Sequence, residues 1–515
     1  DTSIVTFNKS KYGDRYSSEN FKFKIYPFKL EQLANIDTDS LKFKGLLQSG
    51  DIFEEIETNI QITKDRTLGL DIQIEPEGLK VFNGKGTVFG HLLLDQDGLT
   101  FKGKISKNNI SFYTDSTLIL PDSIHANLNK WEAIQSSEMI APILAGAESV
   151  MNWNPINDSI HIQPNEQAEV SFYNQQAIIS GIFQITNNQL NAAGDIKIGE
   201  TNFKSDSIVL KPQIAEIDSV ELAIIDNSDK VFTSGICDII IDFEKLTANI
   251  QIPKDSIAKY NYNYLTTNKS NYIWDFQNKT VIAFSDSSKD NHYTFIDNKR
   301  KDIQLSASNS NFDLPNRKLQ LFGISQILVA DSKIIPNKEQ LTIDEGGAIN
   351  IMDSATVVLN ADSSFHIIGP VNVEIINKDR IKGDGIFPIQ IGNEIKKIQL
   401  EYFKTEEKID DTSKKEKNQI STYYTLARGS VEESDAFKIS ENLLYKGSVA
   451  FSSLSNEIKL DGYAKPVFNS IPEMEWFKVE QSLNLDKSSL QIDSLKNELG
   501  QNIYTGLMLD LNEFI

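Results

Sequence analysis

Apolar and polar residues alternate at period two along most of the chain. The stretches FKFKIYPFKL, TNIQIT, LDIQIEP, ANIQIPKD, IQLEYF and NEIKLDGY each place every second side chain on one face, the pattern of a strand with one side buried and one side wet. Between such stretches stand DQDG, TNNQ, FNGKG and SLSN, where Gly and Asn accept positive φ and Asp and Ser bond locally to the backbone. Turns this short join antiparallel neighbours, because a parallel crossover takes about a dozen residues or more. The pattern predicts an all-β protein of tandem antiparallel β-meander or sandwich-like modules in an elongated array, with at most one or two short helices. Helical periodicity shows over residues 125–150, HANLNKWEAIQSSEMIAPILAGAESV, where Pro142 would break or kink it, and over SSLQIDSLKNEL, residues 488–499.

The chain also repeats itself. NNISFYTDSTLILP, residues 108–121, returns as GETNFKSDSIVLKP, residues 199–212, and a slide of 91 positions aligns the surroundings without a gap. Gly90 meets Gly181, Leu99 Leu190, Gly103 Gly194, Ile105 Ile196, Phe112 Phe203, Asp115 Asp206, Ser116 Ser207 and Pro121 Pro212. This spacing reads as a meander module: strand, turn, returning strand ending at the second glycine, then two more strands with Asp-Ser at the entry to the last. A looser echo, YKGSVAFSSLSNEIKLDGYAKP, occupies residues 445–466.

At 515 residues the chain is too long for one compact core. We divide it into an N-terminal β module at 1–75, a first meander with a short helical connection at 76–175, a second meander at 176–262, a central β module at 263–403, a charged loop or linker at 404–421 and a C-terminal β module at 422–515. The linker, KTEEKIDDTSKKEKNQIS, is nearly devoid of apolar side chains. The tract SSKDNHYTFIDNKRKD reads as a long hairpin loop. A chain that opens at Asp1 and stops in LDLNEFI is expected after removal of a signal peptide, or within a larger parent.

Acidic residues outnumber basic ones by 72 to 51, and the formal charge of −21 repels phosphate backbones, so nucleic acid is not an expected partner. The single Cys237, inside GICDIIIDF, permits neither an intrachain disulfide nor a cysteine zinc site, and reads as a buried strand residue. No run approaches the roughly 18 apolar residues of a membrane helix, so no transmembrane helix is expected.

Candidate chemistry is sparse. His91, His125, His161, His292 and His366 stand singly, without the three- or four-residue spacing of a helical ligand pair, and read as structural or surface residues. Nucleophile-elbow, Walker, dinucleotide and zincin motifs are all missing from the sequence, so we expect no catalytic residues, no metal and no cofactor. Asp95 and Asp97 in LDQDGL, and Asp379 and Asp384 in KDRIKGDG, offer oxygens to calcium but read as hairpin turns. Tyr260, Tyr262, Tyr264, Tyr272 and Trp274 form either a stacking platform for sugars or a sheet face of cross-strand aromatic pairs. Asp-Ser recurs with a small, apolar or threonine residue after it, which suits a strand entrance where the carboxylate caps a turn.

That tripeptide also resembles the O-glycosylation sequon of exported proteins in Bacteroidota. The resemblance implies Ser40, Ser116, Ser123, Ser159, Ser207, Ser219, Ser256, Ser354 and Ser494 as candidate acceptors. The phrases YSSENFKFKIYPF, FKGLLQSGDIFEE, GLKVFNGKGTVFG, GLTFKGKI, YTDSTLILPDSI and LVADSKIIPNKEQLTIDEGGAI make the chain similar to stretches of the very large exported β-repeat proteins of Bacteroidota. A fainter likeness is to the stacked sheets of lipopolysaccharide-bridge proteins. The resemblance implies export and a place at the cell surface or in the periplasm, associated with the outer membrane; it supplies no chemistry. The expected function is a non-enzymatic structural or scaffold subunit whose partners are other envelope proteins. The alternative is a surface glycan-binding protein or adhesin. A third reading, a polysaccharide-degrading enzyme, needs two acids across a cleft that the sequence does not single out.

Overall fold

The computed structural model describes residues 3–7, 11–29, 41–63, 66–136, 139–165, 168–186, 189–253, 255–284, 292–360, 362–391, 394–409, 421–440, 442–467, 474–484 and 496–503. The protein is all-β. Its strands form two large antiparallel sheets, one curled into a half-barrel, and the described residues contain no α-helix, only short 3-10 turns such as Gly13–Arg15 and Glu433–Asp435. The chain groups into two compact units, Asp1–Pro253 with Ile273–Asn278, and Lys254–Tyr272 with Lys279–Ile515, a coarser division than the six stretches read from sequence.

In the first unit the predicted repeat is a repeat of backbone. Strands Gly86–Asp95, Gly98–Lys107, Ile110–Leu120 and Ser123–Ala133 recur as Ala177–Thr186, Gln189–Ile198, Thr201–Leu210 and Ile214–Asp226, every start displaced by the same 91 positions. Each strand pairs with the next in antiparallel register. Gly90 faces Gly103 in the first meander, and Gly181 faces Gly194 in the second. A Cβ at Gly103 would stand 2.3 Å from the Phe89 carbonyl oxygen, and one at Gly194 2.2 Å from that of Ser180. Only glycine permits that approach at these positive φ angles.

The inward faces carry the large side chains. Trp131, Trp153, Phe112, Phe172 and Phe183 are fully buried, and a side chain of this size withdrawn from water contributes about 1.5–3 kcal/mol. A buried ion pair, Lys107 Nζ to Asp158 Oδ1 at 2.8 Å, ties the second strand of the first meander to the start of strand Ser159–Pro164.

The helix expected over residues 125–150 is not formed; the segment holds strands Ser123–Ala133, Leu144–Gly146 and the start of Ser149–Asn154. Ile124, Ala126 and Leu128 point inward at period two. A bulge then turns Asn129 and Lys130 both outward before Trp131 and Ala133 resume the core. That one inserted residue produces a three-residue apolar spacing that imitates a helix. The second helical candidate, 488–499, lies largely outside the described residues.

In the second unit an 11-stranded sheet runs from Ile327–Val329 to Phe477–Asn484. Asp331 and Ser332, at the head of its second strand, Ser332–Ile335, bond Thr425 on Ser421–Val431, five strands further along the sheet. Thr425 Oγ1 donates to Asp331 Oδ1 at 2.8 Å and lies 3.0 Å from Ser332 Oγ, while its N–H donates to Ser453 Oγ at 2.9 Å. Strands that distant meet only if the sheet curls. His366, Phe387 and Phe451 fill the space beside this clasp, with Phe387 and Phe451 rings 4.3 Å apart. The sequence echo at 445–466 also carries a facing glycine pair, Gly447 and Gly462, with the Tyr445 hydroxyl beside both and donating to the Ser448 carbonyl at 2.7 Å.

Residues 404–409 of the expected charged loop or linker belong to this sheet; 410–420 lie outside the described residues. Strand Glu394–Ile409 pairs with Ser421–Val431 from Leu400 opposite Gly429 to Ile409 opposite Ser421, so the charged stretch joins two partners of one hairpin. Alternating Lys404 and Glu406 carry an ion pair of 3.0 Å along the solvent face, which lets a segment this polar still form a strand. The tract expected as a long hairpin loop contains strand His292–Phe295, which pairs with both Leu265–Thr267 and Gln304–Ser306.

Candidate functional site

The aromatic platform is dispersed by burial. Tyr260 and Tyr272 lie in the core of the second unit, where Tyr260 Oη meets Ser310 Oγ at 3.1 Å and its ring packs edge-on against Phe312. Trp274 belongs to the other unit and is buried edge-on against Phe276. Tyr262 is half-buried under the Arg317 guanidinium, 3.9 Å from its ring centre, which leaves Tyr264 as the exposed ring of the five. A stacking surface needs neighbouring exposed faces, and one tyrosine does not make one.

The Asp-Ser pairs divide into two structural classes. Those at 122–123 and 158–159 stand where strands begin, as expected. Those at 115–116, 206–207, 218–219 and 353–354 instead lie inside strands at β-bulges, with two consecutive residues exposed between buried ones. In the first meander Thr114 Oγ1 donates to the Asn127 carbonyl at 2.8 Å and accepts the Ser116 N–H at 3.1 Å. In the second, Ser205 Oγ donates to the Asp218 carbonyl at 2.8 Å and accepts the Ser207 N–H at 3.0 Å. The hydroxyl one residue before Asp-Ser thus satisfies the amide that the bulge withdraws from the ladder. Of the candidate acceptors, Ser116, Ser207, Ser219 and Ser354 are exposed, Ser123 and Ser256 are half-buried, and Ser159 is buried; Ser40 and Ser494 lie outside the described residues.

The aspartates offered to calcium serve local geometry. Asp95 Oδ1 accepts the Asp97 N–H at 2.8 Å, Asp379 donates its N–H to Asn377 Oδ1, and Asp384 accepts from Asn372 Nδ2. No group of three or more metal-binding side chains occurs among the described residues. Cys237 is buried, as expected, and burial raises its thiol pKa to about 11. Lys269 is buried in the second unit with its ammonium on the Ser308 carbonyl, and desolvation lowers its pKa to about 8.

The histidines remain apart except on one face. His366 is buried with Nε2 at 3.0 Å from the Ser455 carbonyl, and desolvation lowers its pKa. His91 pairs with Asp71, and His292 Nδ1 lies 3.2 Å from Ser306 Oγ. His125 and His161, however, flank Asn152 on neighbouring strands of the first unit. His125 Nδ1 meets Asn152 Oδ1 at 2.7 Å, and His161 Nε2 meets Ser159 Oγ at 3.2 Å. No carboxylate orients either ring among the described residues, as a nucleophile-activating imidazole would need.

This row continues across the sheet. His161 stands opposite Gln184, and Gln184 opposite Asn191; beside them Val150 stands opposite Gln163 and Ile182 opposite Ala193. Asp206, exposed at the bulge, lies beside Ala193. Together these residues line an open trough of about 390 Å³ on the outer face of the second meander and the strands before it. Its lining carries one carboxylate, Asp206, and one imidazole, His161. Two large aliphatic side chains project into water there, Ile182 at 57% and Val150 at 42% exposure. A second cleft of about 270 Å³ lies by Tyr173 and Phe243, but the Tyr173 hydroxyl there is engaged by the Lys211 and Ile214 carbonyls.

Sequence reading missed the trough because its residues come from five strands and share no motif. The one local signal was the absence of Lys and Glu from the outward positions of residues 150–163 and 182–193. No protein-family model matches the chain, and no curated protein matches it significantly.

Proposed function

We propose that this chain is a non-enzymatic, exported β-module protein that serves as a structural or scaffold part of an outer-membrane-associated assembly. The observation that carries the reading is the repetition of a whole meander, strand starts and bulge hydrogen bonds included, at one 91-residue interval. Copying a unit whose inward face is filled by apolar side chains extends a lateral surface and adds binding edges, which is the use repeat architectures make of duplication. The acidic exterior keeps so much sheet from self-association by like-charge repulsion. Export and the envelope location rest on the resemblance described from sequence.

The direct test is native copurification from gently solubilised envelopes, followed by mass spectrometry of the companions. Recovery with stoichiometric envelope proteins is the expected result; elution of the chain alone would remove the reading. Intact mass of the exported protein tests the serine modification separately, with added hexose masses expected and mapping to Ser116, Ser207, Ser219 or Ser354.

A further inference from the structure

The trough on the outer face of the second meander differs in charge from the equivalent surface of the first. Displaced by 91 positions, Lys102 becomes Ala193 and Asp115 becomes Asp206. In the first meander Lys102 Nζ reaches Asp115 Oδ1 at 2.9 Å, and Asn129 Nδ2 donates to Asp115 Oδ2 at 2.6 Å, so both carboxylate oxygens are engaged. In the second the short Ala193 leaves the space open, and Asp206 has no side-chain partner among the described residues.

We infer that this trough binds a neutral, hydroxyl-rich chain, an oligosaccharide without acidic groups. Three features select that chemistry. The oxygens of Asn152 and Asn191 already meet His125 Nδ1 and Gln189 Nε2, which leaves their NH2 groups as donors, while Gln163 and Gln184 add carbonyl acceptors, a mixture that matches hydroxyls. Asp206 is an unpaired acceptor able to take two neighbouring hydroxyls, and beside it the net charge of −21 repels uronates, sulfated sugars and phosphates. Exposed Val150 and Ile182 offer an apolar ledge to the C–H face of a sugar ring, and about 390 Å³ lies within the range of small-ligand sites. A protein partner is disfavoured because the outward side chains here include no aromatic or arginine anchor.

The test uses the full chain with mannohexaose, cellohexaose and maltohexaose as neutral probes and oligogalacturonate as the acidic one, read by titration calorimetry. Saturable binding of at least one neutral hexasaccharide is expected, with oligogalacturonate silent. Ala193→Lys, which rebuilds the ion pair of the first meander, should weaken binding at least about tenfold with an unchanged melting temperature. Asp206→Asn and Gln163→Ala, at exposed positions, should weaken it independently should the lysine variant fold poorly, while Lys102→Ala leaves it intact. Failure of all three neutral probes to bind, equal binding by wild type, Ala193→Lys and Asp206→Asn, or preference for oligogalacturonate would each overturn the inference. Copurification with envelope proteins does not depend on this outcome, so the two readings fail separately.

Discussion

The two meanders of the first unit share a backbone to the level of single bulge hydrogen bonds, yet their outer faces have diverged. The first closes its face with Lys102 against Asp115 and with His91 against Asp71; the second replaces Lys102 with Ala193 and His91 with Ile182. What has been kept is what the sheet needs in order to fold. The facing glycines allow close backbone approach, and the hydroxyl before Asp-Ser satisfies the bulge. What has changed lies where either side chain would fold equally well, and such positions are free to acquire recognition.

The sharpest challenge to this comparison is at the glycine pairs. Gly103→Ala and Gly194→Ala each force a Cβ against a carbonyl oxygen at positive φ, and each should cost about 2–4 kcal/mol in urea unfolding. Equal losses support one shared architecture; a neutral substitution in either meander would break the equivalence. A smaller effect is expected at the bulges. Thr114→Val and Ser205→Ala each leave a part-buried amide and carbonyl without their hydroxyl partner, for about 1 kcal/mol by the same measurement. Hydrogen exchange at the Ser116 and Ser207 amides should quicken in the respective variants.

The least effect belongs to the pair that distinguishes the faces. Hydrogen bonds from Lys102 and then Asn129 hold the Asp115 carboxyl below its ordinary value. A lowered folded-state pKa contributes stability above the ordinary carboxylate pKa and loses it as pH falls through the lowered one. Lys102→Ala should therefore raise the Asp115 titration midpoint toward the ordinary value and slightly reduce resistance to acid, with neutral-pH melting almost unchanged because the pair is exposed. Carboxyl-detected NMR titration reads the midpoint, and an unmoved value would show that the ion pair is not what closes that face.

Much of the fold was legible in the residues. Period-two alternation identified the strands and the gap-free offset identified the repeated unit, with a facing glycine pair also in its looser echo at 445–466, but the returning strand runs on through Gly103 and Gly194 to Lys107 and Ile198 instead of ending at the glycine. Three misreadings share a cause: bulges and long strands alter local pattern without altering the sheet. The bulge after Leu128 imitated a helix, the mid-strand bulges at Asp-Ser imitated strand entrances, and the charged run expected as a loop or linker from Lys404 still pairs as strand to Ile409. The aromatic tract misled for another reason: alternation there marks an inward face, and inwardness is invisible until the opposing layer is known.

Sequence alone determined which residues alternate, where the chain turns and that one unit is used twice, because strand period, turn chemistry and glycine's freedom are properties of neighbours along the chain. Tertiary structure decided which polar side chains share a face, that Asn152, His161, Gln184 and Asn191 fall in one row, and that the space beside Asp206 is open. Those outcomes depend on register between strands tens of residues apart. Register is set by the summed burial of every inward residue, and no local stretch encodes that sum.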